Sequence, residues 1–222
     1  MDERLSRRAA SEAVGDQGWR LVLGALCSSV AVTSLAGAVE VASRAVAACG
    51  AEADGHLRVD VRADRVVLTV QTLAIGAVTG LDAQLARAIT ASGLTTEPGA
   101  GRRSVQLLEI AVDALDIASV RPFWRAVLAY ADEPGAAADG PLVDPLGQGP
   151  AIWFQQMDRP RPQRNRLHLD ISVPHDEAAR RIEAAVAAGG RVLSDTRAPA
   201  FWVLADAEGN EACVTTWQGR DG

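Results

Sequence analysis

Val66-Val67-Leu68-Thr69-Val70-Gln71-Thr72-Leu73, followed through Gly76-Ala77-Val78 by Thr79-Gly80-Leu81-Asp82, decides how the first half of this chain folds. The first eight residues are mostly aliphatic with polar residues interleaved, which is the composition of a half-buried strand. Thr79 stands three residues ahead of Asp82, a capping box with Asp in place of Glu. The helix it opens places Leu81, Leu85 and Ile89 on one inward face.

Toward the N-terminus, residues 59–72 alternate apolar and polar about a turn at Ala63-Asp64, which predicts a hairpin-like strand pair. Before it, Leu35, Val39, Ala42 and Val46 recur at helical spacing and predict a helix that ends near Gly50. Residues 19–32 read as one or two short strands. Residues 1–16 are small and charged and are expected to form a flexible leader, frayed or partly helical. The order over residues 17–94 is therefore β, α, β, β, α.

Toward the C-terminus, residues 95–103 hold Pro98, Gly99 and Gly101 without apolar periodicity and read as a linker. A new pattern then begins. Residues 105–112 form a strand, Ser119 caps a helix with Pro122 in its first turn, and residues 151–157 return as a strand. Residues 166–173 open a second copy, with a helix capped by Asp176 and stopped at Gly189-Gly190. Strands at 191–194, 201–206 and 211–217 complete it. Residues 104–222 thus predict a βαβββ unit twice, and two such units can pair into a half-open barrel around a cavity suited to a small molecule. The expected fold class is α+β throughout, in two domains.

Composition narrows the function. The chain has 222 residues and a net charge of -6, which argues against nucleic acid or an anionic membrane surface as partner. Residues 21–39 are uncharged over about the length a bilayer needs, but serines, a threonine and two glycines interrupt them, so no membrane span is expected. Cys27, Cys49 and Cys213 are far apart and outside any C-x-x-C pair, which fits a reducing cytoplasm and gives no disulfide framework.

Gly18-Trp19-Arg20-Leu21, Ala53-Asp54-Gly55-His56-Leu57 and the opening stretch through Asp82 resemble the pterin-4a-carbinolamine dehydratases. That family opens on a G-W strand, carries D-H-H-P after its first helix, has T-H at the end of its third strand and continues G-x-L-T-x-x-D. The resemblance implies a lyase that removes water from a 4a-hydroxytetrahydropterin, a tetrahydrobiopterin derivative, with histidines as acid, base and pterin contacts. Gly55 takes the place of the first histidine of the pair, His56 matches the second, Leu57 replaces the proline and Leu73 replaces the strand histidine. His56 is the remaining catalytic candidate.

Leu107-Leu108-Glu109-Ile110-Ala111-Val112, Phe123-Trp124-Arg125-Ala126-Val127-Leu128, Arg164-Asn165-Arg166-Leu167-His168-Leu169-Asp170 and Asp206-Ala207-Glu208-Gly209-Asn210-Glu211 resemble the glyoxalase/bleomycin-resistance superfamily, the vicinal oxygen chelate proteins. The resemblance implies a divalent metal in the cavity, with Glu109, His168 and Glu211 as ligands and Gln155 the nearest polar candidate for a fourth position. The residues leave a second reading open, in which His168 and Asp170 hydrogen-bond their strand neighbours. Trp153, Gln155 and Trp202 are the substrate-binding candidates, the aromatics because they can stack on a planar ligand such as a pterin or another heterocycle. Three functions stay open: a hydro-lyase acting through His56, a non-catalytic small-molecule binder of resistance type, and a metal-dependent enzyme. Both resemblances imply a homo-oligomer.

Overall fold

The alternation in residues 65–70 becomes alternation of burial. In the computed structural model, which describes residues 3–94, 105–160 and 167–219, Val66, Leu68 and Val70 are buried while Arg65, Val67 and Thr69 are less so. The expected linker at 95–103 lies outside the described residues. The chain divides into two units, 1–107 and 108–222, each with its own apolar core.

In the first unit, α1 (Arg7–Val14) precedes β1 (Arg20–Val22) and β2 (Ala25–Ala31), then α2 (Leu35–Cys49), the single turn α3 (Ala53–His56), β3 (Leu57–Val61), β4 (Arg65–Val70) and α4 (Gly80–Ala91). The strands form one antiparallel sheet in the order β1-β2-β4-β3. Leu26, Ser28 and Val30 of β2 stand opposite Val70, Leu68 and Val66 of β4 and form its buried face. Ser28 is tolerated there because its hydroxyl donates to Gly18 O at 2.6 Å. Trp19 is fully buried and satisfies its indole N–H on Thr90 Oγ1 at 3.0 Å. The uncharged run 21–39 is divided among β1, β2 and α2, and among the described residues no helix is long and apolar enough to cross a membrane.

Two sequence expectations change here. Of the two forms expected for residues 1–16, frayed or partly helical, the described residues take the helical one and pack it into the first core rather than leaving it a flexible leader: Ser6 caps α1 by accepting from Ala9 N, Ala10 and Val14 are buried, and Leu5 packs beside them. The apolar residues of that segment fall three to five apart, enough for one inward stripe, and Arg87 fixes the helix by donating to Ala13 O at 2.8 Å. In α2 the large apolar residues Leu35, Val39 and Val46 are exposed, at 57%, 53% and 47%, while the small Ala38, Ala45 and Cys49 are buried. Helix formation was legible from the spacing; the buried face was not, because small side chains let the helix lie close against β3 and α4.

In the second unit, β5 (Glu109–Ala114), α5 (Ile117–Leu128), β6 (Ala131–Asp132), β7 (Leu142–Val143) and β8 (Ala151–Gln156) form one βαβββ copy. β9 (Leu169–Ser172), α6 (Ala178–Ala187), β10 (Arg191–Ser194), β11 (Phe201–Ala205) and β12 (Glu211–Thr215) form the other. The sheets run β5-β8-β7-β6 and β9-β12-β11-β10, the same order in both copies, with the first and last strand of each copy parallel. Their helix-facing residues merge in one core around Phe123, Trp124, Ile152, Leu204 and Val214.

The α5 cap is Asp116, which accepts from Ser119 N at 3.2 Å, so the helix starts before Ser119 and Pro122 lies beyond the first turn. The helix absorbs the proline at the cost of one backbone bond. The expected stop at Gly189-Gly190 has a steric cause. Gly189 takes a φ of 96°, and a Cβ on Gly190 would lie 2.2 Å from the Phe123 ring.

Candidate functional site

In the first unit, the antiparallel ladder between β3 and β4 continues past both strands. Gln71 N donates to His56 O at 2.9 Å and Leu73 N to Gly55 O at 3.0 Å. These two bonds bring Gly55, His56 and Leu73 side by side, so the three positions that carry histidine in the resembled family converge and one of them holds it. The Cβ position of Gly55 faces open space.

The capping box of α4 supplies the rest of the site. Asp82 is wholly buried; one carboxylate oxygen accepts from Thr79 N at 2.7 Å, Thr79 Oγ1 at 2.9 Å and Thr72 Oγ1 at 2.7 Å, and the other lies 2.8 Å from His56 Nδ1. A carboxylate surrounded by that many donors acts as an acceptor toward each, which assigns the proton of the imidazole to Nδ1. Nε2 then carries the lone pair, and the nearest acid to it is the half-exposed Glu52, 3.9 Å away. A base held by a buried carboxylate is the arrangement that orients an imidazole and stabilises its protonated form during proton transfer. The sequence reading found Asp82 as a helix cap and missed it, with Thr72, as the partner of His56. The signal lay in a cap residue that is acidic and follows the strand paired with the His56 turn.

In the second unit, strand alternation sorts the candidates. On β5 and β8, Ile110, Val112, Ile152 and Phe154 face the helices, which leaves Glu109, Asp113, Trp153 and Gln155 on the other face, with Asp113 opposite Gln155. A cavity of about 470 Å³ opens there between Asp113, Gln155, Gln156 and residues 157–160. Trp202 does not share this face: it lies two residues from the buried Leu204 and packs on the helical core with it. Strand parity, which the sequence reading left undetermined, makes it a packing residue.

The expected ligand set is not brought together. Glu109 is exposed at the start of β5, Glu211 begins β12 opposite Ala205, and neither joins His168 in a cluster of donor atoms. Among the described residues, the one grouping of three such donors is His168, Asp170 and Cys213, whose ligand atoms all lie within 4.8 Å of one another. Imidazole, carboxylate and thiol form a donor set that fits a zinc-like ion. His168 Nε2 is 3.3 Å from Asp170 Oδ1, so the two side chains also form an ion pair when the imidazole is protonated. His175 sits apart, accepting from the Trp217 indole at 3.3 Å.

The run from Asp206 to Asn210 is structural. Asp206 is fully buried and accepts from Trp124 Nε1 at 3.0 Å, Glu208 N at 3.0 Å, Asn210 N at 2.9 Å and Asn210 Nδ2 at 2.8 Å. Glu208 reaches across to the start of α5, accepting from Leu115 N at 2.8 Å and Asp116 N at 2.7 Å, where a carboxylate also meets the positive end of the helix. The segment ties the last strand of one βαβββ copy to the helix of the other.

Residues 3–92 match the family described as pterin 4 alpha carbinolamine dehydratase, and residues 109–215 match the family described as glyoxalase-like domain. No curated protein matches the chain. Among solved structures, a transcriptional coactivator/pterin dehydratase from Brucella melitensis is 26% identical, covering 40% of this chain and 98% of its own with a TM-score of 0.36. A glyoxalase/bleomycin resistance protein/dioxygenase family enzyme from Burkholderia phytofirmans is 14% identical, covering 49% of this chain and 95% of its own at 0.41. The fosfomycin resistance protein FosX from Listeria monocytogenes is 13% identical, covering 50% and 90% at 0.38. The chain thus joins a pterin-4a-carbinolamine dehydratase-like domain to a glyoxalase-like domain.

Proposed function

We propose that the dehydratase-like domain is an acid–base site that eliminates water from a carbinolamine of the 4a-hydroxytetrahydropterin type. The observation that carries this reading is the 2.8 Å contact between His56 Nδ1 and the buried Asp82. In that tautomer Nε2 takes the N–H proton next to the carbinol carbon, the C–O bond breaks, and the imidazolium delivers that proton to the departing hydroxide, which leaves as water and restores the neutral imidazole. Asp82 stabilises the imidazolium meanwhile. Gly55 and Leu73 supply no polar side chain, so the domain holds the reacting centre with fewer pterin contacts than the family pattern provides. The test is dehydration of a freshly generated carbinolamine by the purified protein. Turnover that His56→Ala abolishes is expected, and a rate equal to the uncatalysed one would end the proposal. Gly55→His, entering open space, is expected to raise the rate.

Trp153 favours a second reading, for the glyoxalase-like domain. It lies beside Gln155 on the face away from the core, which suits a site that binds a planar small molecule without turnover. Quenching of tryptophan fluorescence by such a ligand, lost in Trp153→Ala, would support it; unchanged quenching would remove Trp153 from the site.

The exposed stripe Leu35, Val39 and Val46 on α2 supports self-association, since apolar side chains at helical spacing on one face are a ready contact for a second copy. Three thiols without a disulfide fit residence in a reducing cytoplasm.

A further inference from the structure

Alternation on β2 and β4 turns one set of side chains toward the helices and the other set away. Leu26, Val30, Val66, Leu68 and Val70 join the first core, so Cys27, Ser29, Arg65, Val67 and Thr69 stand on the outer face of the sheet. Cys27 is nevertheless only 3% exposed. With Val22 and residues 105–107, which end the first unit, these five side chains line a cavity of about 180 Å³. Val22 and Val67 make one part of the lining apolar, whereas Ser29, Thr69 and Arg65 bring hydroxyl and guanidinium donors.

The charge around this cavity is positive in a chain whose net charge is -6. Strands β1 to β4 and the turn between β3 and β4 carry the arginines Arg20, Arg58, Arg62 and Arg65 against two acids, Asp60 and Asp64. The acids pair with Arg62 and Arg65, while Arg20 stands beside Cys27 and Arg58 beside Thr69 in the strand register. Asp64 holds Arg65 by Nε and Nη2, and a guanidinium so held still offers the donors of Nη1. Burial raises the Cys27 thiol above its ordinary pKa, and the Thr69 hydroxyl and the Arg58 charge work against it, so the positive field reaches the cavity floor. We propose that the cavity binds a small organic anion, a monocarboxylate with a short aliphatic chain. At about 30 Å³ for each water-sized group, it has room for about six non-hydrogen atoms. The carboxylate meets Arg65 with the Ser29 and Thr69 hydroxyls, and the chain lies against Val22 and Val67. A nucleotide is too large for this space, and a wholly apolar fragment would leave the donors unpaired. The site shares no residue with the His56 and Asp82 pair and does not rest on the dehydratase reading.

The experiment is titration of the isotope-labelled full-length protein with butyrate, read by the backbone amide signals in two-dimensional NMR, with butyramide as the uncharged probe of the same shape. Butyrate is expected to bind saturably with a Kd on the order of 1 mM, as befits so few atoms, and to move the signals around Ser29 and Thr69 more than any in the second unit. Butyramide should bind about 10-fold more weakly. Arg65→Gln should weaken butyrate by about 10-fold and leave butyramide unchanged. Thr69→Val keeps the shape of the side chain and removes one donor, so an expected loss of about fivefold for butyrate decides the matter even if the Arg65 substitution disturbs the turn at Asp64. Shifts that do not saturate, butyramide binding as tightly as butyrate, or butyrate affinity unchanged in both variants would each overturn the assignment.

Discussion

Replacing Asp82 by alanine tests whether the first domain is organised by one buried carboxylate. Asp82 takes four donors and is fully shielded from water. Loss of the cap on α4 costs about 1 kcal/mol. The His56 N–H is left with only Thr72 Oγ1 at 3.3 Å, and a buried donor so poorly satisfied costs about 1–3 kcal/mol. The Thr72 hydroxyl retains Thr79 Oγ1 at 3.1 Å and adds little. The sum is about 3 kcal/mol, or on the order of a 100-fold loss of amide protection. Hydrogen exchange read by mass spectrometry on peptides from β4 and α4 measures it without interference from the second domain. A loss of less than about fivefold in those peptides would refute the reasoning. Asp82→Asn separates stability from chemistry. The amide keeps an oxygen for the Thr79 N–H but sets an NH₂ group against Nδ1, which moves the imidazole proton to Nε2. Protection should stay within about tenfold of the parent protein while dehydration, measured as above, is lost.

In the second domain, Asp206→Ala leaves the buried Trp124 indole N–H unpaired and releases the Glu208–Asn210 turn, with an expected cost of about 3 kcal/mol in urea unfolding followed by tryptophan fluorescence. Gly190→Ala drives a methyl group into the Phe123 ring and should cost about 1–3 kcal/mol in the same assay. Burial would raise the Asp144 pKa, but backbone N–H groups of Leu146, Gly149 and Gln148 outweigh it and hold the carboxyl below its ordinary value. A depressed carboxyl contributes stability above its unfolded pKa of about 4 and loses it as pH falls through the lower folded value, so thermal scans below about pH 4 should show a loss that Asp144→Asn removes. Val39→Lys combined with Val46→Lys should shift the sedimentation profile to a smaller species while leaving the circular dichroism spectrum unchanged, since both positions are exposed.

The sequence carried the order of elements well, because strand alternation in 65–70, the Thr79/Asp82 box and the left-handed turn at Gly189 are local signals with local causes. It was less informative wherever the deciding contact is long-range. Nothing near Leu35, Val39 or Val46 says that Ala38 and Ala45 will take the buried face, since that depends on how closely α2 approaches its neighbours. Trp202 lies on a strand expected to flank a cavity, and only the parity fixed by Leu204 turns it toward the helices. His168 could be singled out by type, but its partner Cys213 is 45 positions away and came from the pairing of β9 with β12. The first and last strands of a βαβββ copy become neighbours only when the copy closes.

Among the described residues two carboxylates are fully buried, Asp82 and Asp206, one in each domain. A buried charge is costly unless every lone pair is used, and both use theirs on a turn plus one aromatic or heteroaromatic N–H: His56 in the first domain, Trp124 in the second. The outcomes differ in chemistry. An indole N–H is spent once bonded, so Asp206 can only hold α5 against the last strand. An imidazole bonded at Nδ1 still has Nε2, so on the proposed reading the same device in the first domain keeps a nitrogen lone pair for proton transfer. Gly55 and Leu73 beside it offer no polar side chain, whereas its Asp82 support is present. If the domain had kept only its fold, His56→Gln with Asp82→Asn should fold as well as the parent and nothing in function should change. A dehydration rate lost in that pair at preserved stability is the result that requires the dyad to act chemically.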